Sequence, residues 1–277
     1  MAAARAITVV PLQVVIGSES YDEGVEGGVT PDLLADALRA WTPVSTSRPN
    51  PEEMLAVYER LAEQGATEIV SVHLSADLSG TFESAQLAAR RSPVPVHAVD
   101  SRQVGMGTGF AALAAADVRD AGGTAAEMAT AARERVSMTT SLFYVDTLEY
   151  LRRGGRVGAA AALLGSALAV KPILKVDRGR IGPLERVRTS GKALTRLEEL
   201  AVEAAGDAQV DVAVAHLASP DRAGTLAEKL GARLAEGLDG RQVSIGEIGA
   251  VLGAHVGPGM VAVCVARRAV HNAAASD

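Results

Sequence analysis

The apolar positions of this chain change period repeatedly, and the changes mark short strands alternating with helices. The run "TPDLLADALRA" opens with Thr30 as N-cap and Pro31 at the first helical position, and its apolar residues then recur at helical spacing. "NPEEMLAVYERLAEQG" repeats the plan with Asn50 and Pro51, sets Glu53 where a capping box requires it and stops at Gly65. Both are predicted helices. Between helical stretches lie "TEIVSVHL", "VPVHAVD", "TSLFYV", "KPILKV", "VDVAVAHL" and "MVAVCVA", each short and rich in Val, Ile or Leu. These read as strands buried on one or both faces, and the alternation predicts an α/β protein with a largely parallel sheet.

After about residue 155 the rhythm loosens. "KPILKVDRGRIGPLERV" reads as two strands joined by a turn at "DRGR", which predicts an antiparallel hairpin in a second lobe. The lobes are expected to be residues 1–155 and 156–277, with the boundary near "RRGGRVG". No repeat of fixed period occurs, and the polar tail "NAAASD" is expected to fray.

Composition narrows the function classes. With 277 residues, 48% hydrophobic and 22% charged, the chain has the make-up of an ordinary globular protein of one large or two medium domains. A net charge of −6 gives no basic field to hold a phosphate backbone, and aromatic residues for stacking bases are 3% of the chain, so nucleic acid is not an expected partner. The single cysteine, Cys264, lies inside the alternating run "MVAVCVARR", rules out an internal disulfide and suits a reducing cytoplasm. The start "MAAARAITVVPLQVV" is apolar but carries Arg5 and Pro11, without a signal-peptide core or a membrane-spanning run. A cytoplasmic location is expected.

Two hydroxyl clusters carry the first candidate chemistry. In "HLSADLSGT" the residues Ser79, Gly80 and Thr81 occupy a strand-to-helix turn, where free N–H groups and the helix dipole favour an anion. Gly80 would let a ligand approach the backbone, and Ser79 can donate a hydrogen bond, although Ser79 or Thr81 could equally be a plain N-cap. "VSTSRP" places Ser45, Thr46 and Ser47 before a proline-marked turn into the next helix, where hydroxyls also serve as turn groups. Loops at the carboxyl ends of strands are where open α/β sheets bind ligands, so the pair suggests one composite oxygen-binding site. Carboxylate fits better than phosphate, because neither loop has a lysine and the nearby Arg48 is restrained by the following proline.

A third motif, "GAHVGPGMVAV", puts His255 before a Gly-Pro-Gly turn, where it could pair with a ligand oxygen or simply hold the turn. The other histidines, His73, His97, His216 and His271, show no ligand spacing, so neither a metal nor another cofactor is expected. Among the arginines near turns, Arg156 stands out between glycines in "RRGGRVG". A serine hydrolase acting on acyl esters with Ser79 as nucleophile and His255 as base is the competing reading; "LSG" is not the G-x-S-x-G elbow, and no carboxylate is placed to orient the histidine.

Taken in order, "TSRP", "SADLSGTFESA", "VDS", "DTLEYLRRGGRV", "KPIL" and "HVGPG" resemble the motifs of the DegV family of bacterial fatty-acid-binding proteins, from about residue 7 to residue 266. The resemblance implies two α/β lobes, a mostly parallel sheet in the first and a mixed sheet in the second, with an apolar lipid tunnel between them. It implies that Thr46, Ser79 and His255 contact the carboxylate of a long-chain fatty acid, with the Gly80 backbone beside it. Such proteins resemble the binding subunit of bacterial fatty acid kinase, which is not catalytic alone. They present the acid to a separate ATP-binding kinase subunit that makes an acyl-phosphate for phospholipid metabolism, and Arg156 and Arg188 would face that partner or the phosphate. Transient membrane contact is compatible with such a role, and a fatty-acid-responsive regulator would share the same pocket.

Two expectations remain. Tunnel-lining residues are expected on helices, where a Leu/Ala/Val stripe facing a tunnel reads like one facing a core. Family members usually begin with a V-T-D-S strand and an L-P turn, whereas this chain opens on "AARAITVVPLQV", at what would be the following helix. A version extended by that strand and turn is therefore expected to melt at a higher temperature.

Overall fold

A computed structural model describes residues 2–25, 27–163 and 171–268. The tail "NAAASD" and His271 lie outside the described residues. Both predicted helices form with their caps. Helix α1 (Pro31–Arg39) is capped by Thr30, which accepts from the Leu33 N–H, and α2 (Pro51–Glu63) opens on a complete capping box between Asn50 and Glu53.

The N-terminal part holds two small sheets. Strands β1 (Gln13–Ile16), β2 (Glu19–Asp22) and β3 (Val44–Ser47) form an antiparallel sheet in the order β2-β1-β3. The β1–β2 hairpin went unread in the sequence, because "QVVIGSESYD" has a polar second arm; Gly17, at φ +62°, makes its turn. Strands β4 (Ile69–His73) and β5 (Val96–Asp100) pair in parallel, as the alternation with helices predicts. Tyr58 and Met54 of α2 pack with Ile69 and with Ala85 of α3 (Thr81–Ala89) on this pair. Val99 packs with the alanines of α4 (Met106–Asp120) and α5 (Ala125–Ser137).

The C-terminal part is built on a six-stranded mixed sheet. Its members are β6 (Thr139–Tyr144), β7 (Lys171–Asp177), β8 (Arg180–Val187), β9 (Val210–His216), β10 (Ser244–Glu247) and β11 (Val261–Arg267), in the order β10-β9-β11-β6-β7-β8. Only β10 and β9 run parallel. The β7–β8 hairpin is antiparallel with its turn at Arg178–Gly179, both at positive φ, which is the "DRGR" turn expected. Strand β6 precedes residue 155 in the chain yet is hydrogen-bonded between β11 and β7.

Side chains alternate across this sheet in size as well as in direction. Val212, Val214, Val261, Val263 and Val265 face α7 (Ser190–Ala205) and α8 (Pro220–Arg233), which the one-turn α9 (Ala235–Leu238) follows, and pack there with Leu197, Ala201, Leu226 and Leu230. Between them on β9 and β11 stand Ala213, Ala215, Ala262 and Cys264, turned to the opposite face. On that opposite side Phe110 of α4 packs with Ala213, Cys264 and Ala266, and two short helices lie beyond: α6 (Glu149–Arg153) and α10 (Ala250–Val256), which pack on each other, with α10 also against α1, β1 and β3.

Candidate functional site

Because the second face carries alanines and a cysteine where the first carries valines, the sheet cannot fill the space in front of it. A cavity of about 750 Å³ results. That volume falls within the roughly 300–1,000 Å³ of ordinary ligand pockets. Ala213, Ala215, Ala262 and Cys264 form its floor, Phe143, Val176 and Ile181 one wall, and Leu252, Val256 and Met260 cover it. The lining thus comes largely from strands, not from helix stripes as expected. The signal was legible as the large/small alternation in "VDVAVAH" and "VAVCVAR".

One cluster of polar groups gathers around Thr46, while Ser141, Ser244 and Glu247 also line the cavity. Thr46 is brought in by β3, and its Oγ1 lies 3.0 Å from Nε2 of His255. His255 sits in the last turn of α10 and not in the Gly-Pro-Gly turn itself, which begins with Gly257 at φ +76°. Burial, and then the Arg156 guanidinium, push its pKa down to about 4, so the imidazole is neutral at pH 7. Its Nδ1 is buried without a partner and abuts Gly154, where a Cβ would collide with it.

Ser79 and Gly80 arrive on the loop between β4 and α3, and both line the cavity. Gly80 is the N-cap of α3. The Ser79 Oγ shares a hydrogen bond with Thr81 Oγ1 at 2.7 Å and accepts one from the Thr81 N–H at 3.3 Å. Ser79 is thus not the N-cap, but its hydroxyl holds the first N–H of α3 while the residue lines the cavity. At Gly80 the close approach belongs to a protein group: the Arg48 guanidinium lies where a Cβ would be, and Arg48 also pairs with Glu83 at 3.3 Å. Sequence reasoning set Arg48 aside because of Pro49, yet it lines the cavity mouth.

Arg156 lines the cavity as well, donating from Nε to the Leu78 carbonyl at 3.0 Å and from its guanidinium to the Gly154 carbonyl. Arg188 is exposed in the connection between β8 and α7 and is not among the lining residues. The site thus offers hydroxyls, a neutral imidazole and two guanidiniums in a cavity of mostly apolar lining. Donors of that kind suit a carboxylate, which accepts only. They do not form a hydrolytic triad: His255 faces Thr46, Ser79 faces Thr81, and no carboxylate meets the orphaned Nδ1. Among the described residues no group of three or more His, Cys, Asp or Glu could hold a metal ion, and no helix is long and apolar enough to cross a membrane.

An α/β chain of this topology belongs to a recognised class. The model of the DegV family, described as an uncharacterised protein family, matches residues 1–268, and the chain belongs to that family. A DegV domain-containing protein of Streptomyces coelicolor is 56% identical over 262 residues, which span 95% of this chain and 92% of the relative. Among solved structures, a DegV-family protein from Thermus thermophilus, described for its fatty acid binding, superposes with a TM-score of 0.89 at 30% identity, covering 97% of this chain and 94% of that one. DegV from Bacillus subtilis, described as a fatty acid binding protein, gives 0.85 at 32% identity, with the same coverage of both chains. The two-lobed α/β architecture, with a parallel sheet in the first lobe and a mixed sheet in the second, is that of these proteins.

Proposed function

We propose that this chain binds one long-chain fatty acid, with the acyl tail on the alanine and cysteine floor and the carboxylate among Thr46, Ser79, the Gly80 backbone and His255. The observation that carries the proposal is the pairing of Thr46 Oγ1 and His255 Nε2, 3.0 Å apart, in a cavity of mostly apolar lining that Ser79, Gly80 and Arg156 also line. The tail supplies affinity, at about 0.8 kcal/mol per methylene buried, and the few donors fix its direction. Arg48 and Arg156 add positive charge without the cage of arginines that a phosphate usually invites.

The protein is not an enzyme by itself in this reading. It carries the acid to a separate ATP-binding kinase subunit for acyl-phosphate formation, and Arg156, beside His255, and Arg188 serve that partner or the transferred phosphate. The lobes are residues 1–155 and 156–277, with β6 crossing to complete the second sheet, and the location is cytoplasmic.

Native mass spectrometry of protein purified from cells, followed by denaturation and lipid identification, tests the binding step. One fatty acid per chain is expected, with occupancy reduced in Thr46→Ala and Ser79→Ala. A chain that stays unloaded after fatty acid is added would refute the reading. Loading with acyl chains that cannot be phosphorylated by any kinase co-purifying with the protein would refute the partnership alone.

A further inference from the structure

The loop that carries Ser79 is not held by its own lobe alone. The β7–β8 hairpin extends from the six-stranded sheet, and its turn lands on residues Ser75 and Asp77 of that loop. Ser75, fully buried, donates from Oγ to the Gly179 carbonyl at 2.7 Å. Asp77 accepts from Nε of Arg180 at 2.9 Å, and Nη2 of Arg102 reaches it at 3.9 Å. Arg102 also donates to the Arg178 carbonyl at 2.9 Å. Gly179 has φ +88°, and a Cβ there would stand 2.6 Å from Ser75 Oγ, so the turn conformation and the close approach both require glycine.

These contacts lead directly to Ser79. The Ser75 carbonyl accepts from the N–H groups of Leu78 and Ser79, each at 3.0 Å, so the position of Ser75 fixes the turn that delivers the Ser79 hydroxyl to the cavity. The same hairpin supplies cavity wall: Val176 and Ile181, cross-strand partners next to the turn, both line it. We propose that Gly179 and Arg180 are positioning residues for the head-group site, holding the Ser79 loop in place from the opposite lobe through Ser75 and Asp77. Neither residue lines the cavity itself.

The proposal rests on the head-group reading of Ser79, and the test separates the two. Affinities for palmitic and oleic acids and for their methyl esters are measured for the wild type and for turn variants, with melting temperatures alongside. The wild type is expected to prefer acid to ester. Gly179→Ala is expected to lower that preference about tenfold, the effect of losing the buried hydrogen bond and its geometry. Arg180→Ala, whose side chain is 77% exposed, is expected to fold normally and to lower it about twofold, with recovery in Arg180→Lys.

Glu185→Ala is the comparison variant, since it breaks the Glu185–Arg196 pair that ties the same hairpin to α7 away from the turn. It is expected to leave the acid-over-ester preference intact. An unchanged preference in both turn variants, or an equal fall in Glu185→Ala, overturns the positioning role. A wild type that takes up neither probe, or both equally, overturns the head-group reading and the positioning role with it.

Discussion

The two faces of the six-stranded sheet use the same strands in opposite ways. On one face, Val212, Val214, Val261, Val263 and Val265 interlock with Leu197, Leu226 and Leu230 into a closed core. On the other, the smaller Ala213, Ala215, Ala262 and Cys264 line a cavity of about 750 Å³, beside the contact that Ala213 and Cys264 make with Phe110 of α4. Since side chains on a strand alternate between faces, a substitution at one position acts mainly on one face. Stability and ligand capacity are therefore carried by different positions of β9 and β11, and substitutions can separate them.

The largest effect is expected on the closed face. Leu197→Ala, at a fully buried position of α7, should cost about 2–5 kcal/mol of stability in denaturant titrations. The folded fraction should keep its affinity for fatty acid; a matching loss of affinity would mean that the faces are not independent. Next, Ala215→Leu on the open face should fill cavity volume and weaken fatty-acid binding tenfold or more, with little change in the melting temperature of unloaded protein. A steep fall in that temperature would show that the face is packed and not open.

Acidification should act at the cavity and also outside the six-stranded sheet, because His255 at the cavity and His73 at the end of β4 are each pushed down to about 4 by burial. Their unfolded values lie near 6.5, so between pH 6.5 and 4 the unfolded chain binds more protons than the folded one. Stability from these groups is present above pH 6.5 and lost as pH falls through about 4. A melting temperature that stays flat from pH 7 to pH 5 would contradict this, and His73→Gln with His255→Gln should flatten the slope. The smallest effect concerns Cys264, whose thiol is pushed up to about 12 by burial. Iodoacetamide at neutral pH should leave it unmodified in the folded state and alkylate it only on denaturation.

Much of the site was legible because it is local. Thr46 lies in β3 just before a proline-marked turn, and Ser79 and Gly80 lie in the connection between β4 and α3; these hydroxyls, glycine and proline announce themselves in sequence. His255 was legible as a residue but not as part of a helix, since α10 is only seven residues long and ends at a glycine turn. Arg48 was dismissed on the backbone restriction of Pro49, which says nothing about where a long guanidinium side chain reaches. The placement of β6 was not legible at all: its pairing with β11 joins residues more than a hundred positions apart, as with Phe143 and Ala262, and no local pattern encodes that choice.

The position of β11 has a consequence for how the molecule is made. Among the described residues it follows every other strand in sequence, yet it lies inside the sheet, with β9 on one side and β6 on the other. Until residues 261–267 have left the ribosome, β6 and β9 have no bridge between them and half of the cavity floor does not exist. The cavity is thus complete only once β11 is in place, and a chain lacking that strand exposes two unsatisfied strand edges that invite aggregation.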